Sequence, residues 1–216
     1  MTSPSEDQAQ SVVALQPQGG VGARARTGVY WIVGGFGLGQ VLRLASNVAL
    51  AAILFEEAFA LMAIVSGVMI GLAMFSDIGL GTSVVQHPKG DDPDFLNTAW
   101  TLQVLRGLGL FLVALILAWP VSRIYGANDP KAYDLLFLIP ITAITALADG
   151  FKSVKAMTAS RHLRLKELTV IEFIVTPVGL VLMLGLAWYM RSVYALAISA
   201  ALSSMLQAAL TYVLLE

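Results

Sequence analysis

Cysteine is absent, which removes disulfide frameworks, thiolate metal sites and a cysteine nucleophile. Histidine is nearly absent: only His87 and His162 occur, far apart in polar stretches, so a His-rich metal site or a His-dependent triad has little material. Charge is scarce as well. Charged residues make up 12% of the chain, against about 25% in a typical soluble domain. The net charge of −1 provides no overall basic surface, and nucleic acid is not expected as a partner. What the chain has instead is apolar material: 57% of its residues are hydrophobic, with 19 glycines in addition. A bilayer is the implied solvent.

Residues 1–27 are polar, contain Pro4 and Pro17, and lack apolar periodicity; they read as a disordered tail. They do not show the basic, apolar, small-residue order of a cleaved signal. Crossing a hydrocarbon core of ~30 Å takes about 20 mostly apolar helical residues. Stretches of that length fall between charge clusters at about 29–54, 59–85, 96–119, 132–151, 168–190 and 193–215. The expected fold is therefore an all-α membrane protein, a bundle of six transmembrane helices over residues 28–216. Short connections make sequence neighbours antiparallel hairpins. Arg24, Arg26, Lys89, Lys152, Lys155, Arg161, Arg164 and Lys166 fall on one side, and only Arg123, Lys131 and Arg191 on the other. Basic residues are retained inside, so the N-terminus is expected in the cytoplasm. The basic stretch from Lys152 to Lys166 reads as a topology determinant, with a part-helical extension at the headgroups compatible with it.

Gly35 and Gly39, and again Gly67 and Gly71, stand four apart, a spacing that lets helices approach closely in lipid. The run Gly35-Phe36-Gly37-Leu38-Gly39 has a phosphate-loop look, but it lies in an apolar span with no lysine after it. Pro140 and Pro177 sit near the middle of their spans and each removes a backbone hydrogen bond, which predicts kinks.

Ionisable residues inside the spans are the informative ones: Arg43, Asp77, Arg106 and Glu172, with Asp149 near a helix end. Each central Arg or Asp costs about 2.5–3.5 kcal/mol on insertion scales, so these side chains must face protein or water. Asp77 and Arg106 both lie about 12–15 Å deep and are placed to pair. Arg43, roughly 21 Å from the cytoplasmic end, is deeper than either acid available to it. Gln40, Arg43 and Asn47 share one helix face. Gln103 with Arg106, and Thr169 with Glu172 and Thr176, form two further polar stripes. Turned inward, the three stripes would enclose a hydrated cavity of cationic to mixed character; the other reading is that they serve only as polar glue between helices.

Residues 40–64 (QVLRLASNVALAAILFEEAFALMAI) and 77–86 (DIGLGTSVVQ), with 95–125 and the segment 159–172 (ASRHLRLKELTVIE), resemble the opening helices of oligosaccharide and polysaccharide flippases. These belong to the multidrug, oligosaccharidyl-lipid and polysaccharide flippase superfamily. The resemblance spans about residues 28–216. Where such proteins often carry a Leu-x-Pro-x-x-Phe-Gly-like turn after the first helix, this chain has Phe55, Glu56, Glu57, Ala58, Phe59 and Ala60.

The resemblance implies one lobe, the N-terminal one, of a two-lobe transporter of twelve to fourteen helices in the bacterial inner membrane. The remainder is expected as a continuation of the chain, with a split second lobe or a second copy as alternatives. The cargo implied is a polyprenyl-diphosphate-linked oligosaccharide for lipopolysaccharide or exopolysaccharide biosynthesis, and membrane lipids are partners. Guanidinium groups suit phosphate oxygens. Arg43 is accordingly expected to hold the diphosphate and Arg106 to be a second contact or the partner of Asp77. Gln40, Asn47 and Gln103 are assigned to sugar hydroxyls, and Asp77 or Glu172 to ion coupling or ion pairing. Transport needs no chemistry on the cargo, so no catalytic residue, metal or cofactor is expected. The competing readings are a cation-coupled multidrug antiporter of the same superfamily, a non-transporting membrane assembly partner, and a polyprenyl-sugar transferase.

Overall fold

The computed structural model describes residues 37, 39–41, 43–51, 56–77, 79–88, 90–127, 129–162 and 165–215. The tail expected at 1–27 and much of the first expected span lie outside the described residues, and a six-span count rests partly on them. The described part of that span, residues 37, 39–41 and 43–51, is helical and is called α1. The chain continues through α2 (Glu56–Ser76), α3 (Leu80–Gln86), α4 (Pro93–Gly126), a 3-10 turn (Pro130–Asp134), α5 (Leu135–Gly150), α6 (Lys155–Arg161), α7 (Leu165–Met190) and α8 (Tyr194–Leu214). Among the described residues five helical segments are long and apolar enough to cross a membrane: Glu57–Ser76, Pro93–Gly126, Pro130–Gly150, Lys166–Met190 and Tyr194–Leu214.

Several boundaries depart from expectation for local reasons. The run 59–85 is two helices, because Asp77 leaves the helix and Gly79 turns at φ 65. The third span begins at Pro93, whose missing N–H costs nothing in a first turn. Asp92 caps it by accepting the Asp94 N–H, and the helix runs through Pro120 to Gly126 instead of stopping at 119. Its 34 residues extend ~51 Å, so α4 projects beyond a ~30 Å hydrocarbon layer. Helices α5 and α7 continue through Pro140 and Pro177.

Helices α4, α5, α8 and α7 pack in that spatial order, and α2 lies against α4 and α5. Leu61, Val65, Ala114, Ala118, Leu135, Leu138, Ile139 and Ala197 form the largest buried cluster, where α2, α4, α5 and α8 meet. Outward faces are apolar, as with Met74, Phe75 and Trp188, which suits lipid as the surrounding medium. Among the described residues, the glycines expected at helix contacts do not make them. A Cβ at Gly39, Gly67 or Gly71 would meet nothing within 4 Å, and Gly35 lies outside the described residues. The close approach is made by Gly107 of α4 and Gly150 of α5, with Gly179 of α7 against Ser203 of α8. Spacing of four identifies small residues but not the side of the helix on which a neighbour stands.

Candidate functional site

On α1, Gln40, Arg43 and Asn47 are all exposed. Leu50, seven residues beyond Arg43, occupies the same helix face. It is 4% exposed and packs with Ala187, Ala195 and Leu196 of the α7–α8 hairpin. The face that carries Arg43 is therefore directed toward the rest of the bundle, yet two turns below Leu50 it stands open. Val41, Leu44 and Val48, the exposed apolar residues of α1, project to a different side. None of the ion pairs among the described residues includes Arg43.

Arg106 and Asp77 do not pair. The last carbonyls of α2 have no helical partner and carry the negative end of its dipole. Arg106 answers them, donating from Nε to Ser76 Oγ at 3.1 Å and from Nη2 to the Ala73 carbonyl at 3.3 Å. Asp77 is exposed, and its Oδ1 accepts the Gly79 N–H at 3.0 Å. The expected ion pair is thus replaced by bonds from Arg106 to the Ser76 hydroxyl and to one main-chain carbonyl in the last turn of α2.

Gln103, assigned to a cavity wall, is 9% exposed. Its Nε2 donates to the carbonyls of Asp149, Gly150 and Lys152 at 2.9, 3.2 and 3.1 Å. It closes the C-terminus of α5, and its Oε1 is buried without a protein partner. The side chain acts as a bracket between α4 and α5.

Glu172 on α7 begins a polar chain that crosses three elements. Gln207 of α8 donates to Glu172 Oε1 at 3.3 Å and accepts from Lys152 Nζ at 2.8 Å. Lys152 also pairs with Asp149 Oδ1 at 2.8 Å, and Ser204 Oγ donates to the same oxygen at 3.1 Å. The Gln207 amide is oriented unambiguously, since lysine only donates and a carboxylate only accepts. Sequence reading missed Gln207 and Ser204. Their signal was available: Ser204, Gln207 and Thr211 follow the same i, i+3, i+7 spacing that singled out the α1 stripe.

At the end of the bundle bearing the Lys152–Lys166 segment, the turn that follows α3 is tied down by an acid. Asp91 pairs with Arg161 Nε at 3.2 Å and with His162 Nε2 at 2.8 Å. Arg161 Nη1 further donates to the carbonyls of Val84, Val85 and His87 at 3.1, 3.1 and 2.6 Å. At the opposite end, Lys131 and Glu57 form an exposed ion pair between the 3-10 turn and α2. Among the described residues no three His, Asp or Glu side chains gather as metal ligands would.

Among the described residues the arrangement is that of an apolar helical bundle with an exposed arginine on the first helix and an interhelical polar chain, both of a chemistry suited to binding. A family described as polysaccharide biosynthesis protein matches residues 49–216, a stretch that includes Asp77, Gln103, Arg106 and Glu172 and starts just after the Gln40–Asn47 stripe. No curated protein and no solved structure matches the chain.

Proposed function

Because the chain belongs to the polysaccharide biosynthesis protein family, we propose that it is a flippase lobe. Its cargo is a polyprenyl-diphosphate-linked oligosaccharide, moved from the cytoplasmic to the outer leaflet of a bacterial inner membrane. A diphosphate cannot cross hydrocarbon without fixed partners, and a guanidinium offers planar, permanently charged donors for its oxygens. The observation that carries the reading is Arg43, open on the helix face that Leu50 uses to pack inward. A charge at that depth is tolerated where it meets water or a ligand.

In this reading Arg43 holds the diphosphate, and Gln40 and Asn47 meet the first sugar hydroxyls. Arg106 is engaged at the end of α2 through Nε and Nη2, and its charge adds to the field nearer the cytoplasmic side. Glu172, held by Gln207 alone among the described groups, is better placed than Asp77 to couple transport to an ion. The cargo is bound, carried and released unchanged, and a second lobe or second copy completes the transport path.

The test is transport of a fluorescent polyprenyl-diphosphate oligosaccharide by the full-length protein in proteoliposomes. Arg43→Ala is expected to lower flux at least tenfold with membrane insertion unchanged, and Arg43→Lys to restore part of it. Full flux in Arg43→Ala would remove the assignment. Dye efflux driven by a proton or sodium gradient and abolished by Glu172→Gln would favour the multidrug antiporter instead.

A further inference from the structure

We infer that α3 is a hinged segment, pivoting at Asp77–Gly79 and latched to the bundle by Arg161. Three independent features carry this. The first is the break itself. The apolar run 59–85 has the composition of one continuous span, yet the helix stops at Ser76 and restarts at Leu80. Gly79 at the restart has φ 65, the left-handed conformation that a residue with a side chain seldom takes.

The second feature is that the two halves are anchored to different elements. The C-terminus of α2 is held by Arg106 of α4 through Ser76 and Ala73. The C-terminus of α3 is held by Arg161 of α6 through Val84, Val85 and His87. An arginine thus stands at each carbonyl end, Arg106 on one α2 carbonyl and the Ser76 hydroxyl and Arg161 on three carbonyls at the end of α3, so the two halves are anchored separately.

The third feature is how few attachments α3 has. Its seven residues include a single buried one, Val84, which packs with Ala99 of α4 and Val154 just before α6. Its carbonyl end is held by Arg161, which also grips Asp91 in the following turn, and by the His87 ring, stacked on Phe95 of α4 at 4.7 Å. Gly90 closes that turn tightly: a Cβ there would stand 2.2 Å from the Val84 carbonyl and 2.4 Å from Arg161 Nη1. One side chain therefore ties the end of α3, the turn after it and α6 together. Release of Arg161 removes the polar hold and leaves the Val84 packing and the His87–Phe95 stack to keep the segment in place, and Gly79 lets it swing without disturbing α2. On the orientation proposed above, α3 would sit at the cytoplasmic mouth of the cavity. Naming it a gate rests on that reading, whereas its movement does not.

The absence of native cysteine makes the movement measurable by paired spin labels in the full chain reconstituted in vesicles. Ser83→Cys with Thr101→Cys reports α3 against α4, and Leu112→Cys with Leu136→Cys reports α4 against α5. The parent is expected to give one narrow distance for each pair. Arg161→Gln is expected to add a second α3–α4 population displaced by about 5 Å or more, one helical turn, with the α4–α5 distance unchanged. Gly79→Ala, where the new methyl would meet nothing within 4 Å, acts on the backbone alone and is expected to alter the share of that second population. An unchanged α3–α4 distance in Arg161→Gln overturns the latch. A shift of the α4–α5 pair as well overturns it too, by making Arg161 a support of the whole fold. A second population indifferent to Gly79→Ala overturns the pivot. None of these outcomes depends on what is transported.

Discussion

Gly107 of α4 and Gly150 of α5 meet backbone to backbone, so that a Cβ on Gly107 would stand 2.9 Å from the Gly150 Cα and 2.8 Å from the Ala146 carbonyl. Neither neighbour is a flexible side-chain tip. Gly107→Ala must push the two helices apart and is expected to destabilise the protein by about 1–3 kcal/mol, as overpacking does. Gly109, two residues on, faces open space. Gly109→Ala should be neutral or stabilising by about 0.5–1 kcal/mol, the usual helix-interior gain. Thermal unfolding midpoints of the two variants in detergent, moving in opposite directions, check the contact.

The bracket of Gln103 over the α5 terminus makes a graded prediction. Gln103→Leu leaves the carbonyls of Asp149, Gly150 and Lys152 without their shared donor and is expected to cost about 1–3 kcal/mol. Gln103→Glu sets a carboxylate against those three carbonyls and should cost more than leucine despite its closer shape. Stability measured for both variants tests this; equal losses would mean the packing of the side chain, not its donor, matters.

The polar chain from Asp149 to Glu172 invites a double-mutant cycle. Lys152→Met and Gln207→Leu should show a coupling energy of about 0.5–1 kcal/mol. The value is kept modest because the Lys152–Gln207 contact is only part-buried. Additive effects in the cycle would show that the contact contributes nothing.

Arg191 joins α7 to α8 at φ 46, the one described non-glycine residue with positive φ. A side chain there costs roughly 1–2 kcal/mol of backbone strain. Arg191 is exposed and its N–H still reaches the Ala187 carbonyl at 2.9 Å, so Arg191→Gly should raise the unfolding midpoint. Arg191→Ala, which keeps a Cβ, should leave it nearly where it is.

Glu172, Asp77, Arg106 and Gln103 were all legible as misplaced polar residues, because the cost of burying charge in lipid makes every such residue conspicuous in a string of letters. Their partners were not legible. Asp77 and Arg106 have matching depth, but depth is one coordinate of three, and the Ala73 carbonyl that Arg106 reaches carries no sequence label at all. The same holds for Arg161, which looked like one more positive charge in a basic loop and is the fastening of α3. Gln207 and Ser204 were readable by the stripe rule and were passed over because an uncharged amide and a hydroxyl attract less notice in a small-residue helix.

The order of the amino acids by itself determined that this is an apolar helical bundle, approximately where its spans run, and which few side chains must be shielded from lipid. Those properties follow from hydropathy, which is summed along the chain. Only the tertiary structure decided that Gly107 rather than Gly67 makes the close contact, that Gln103 is a bracket, and that Arg43 stands open on an inward face. Each of these depends on which side of a helix meets a neighbour, and that is settled by how all the helices pack together.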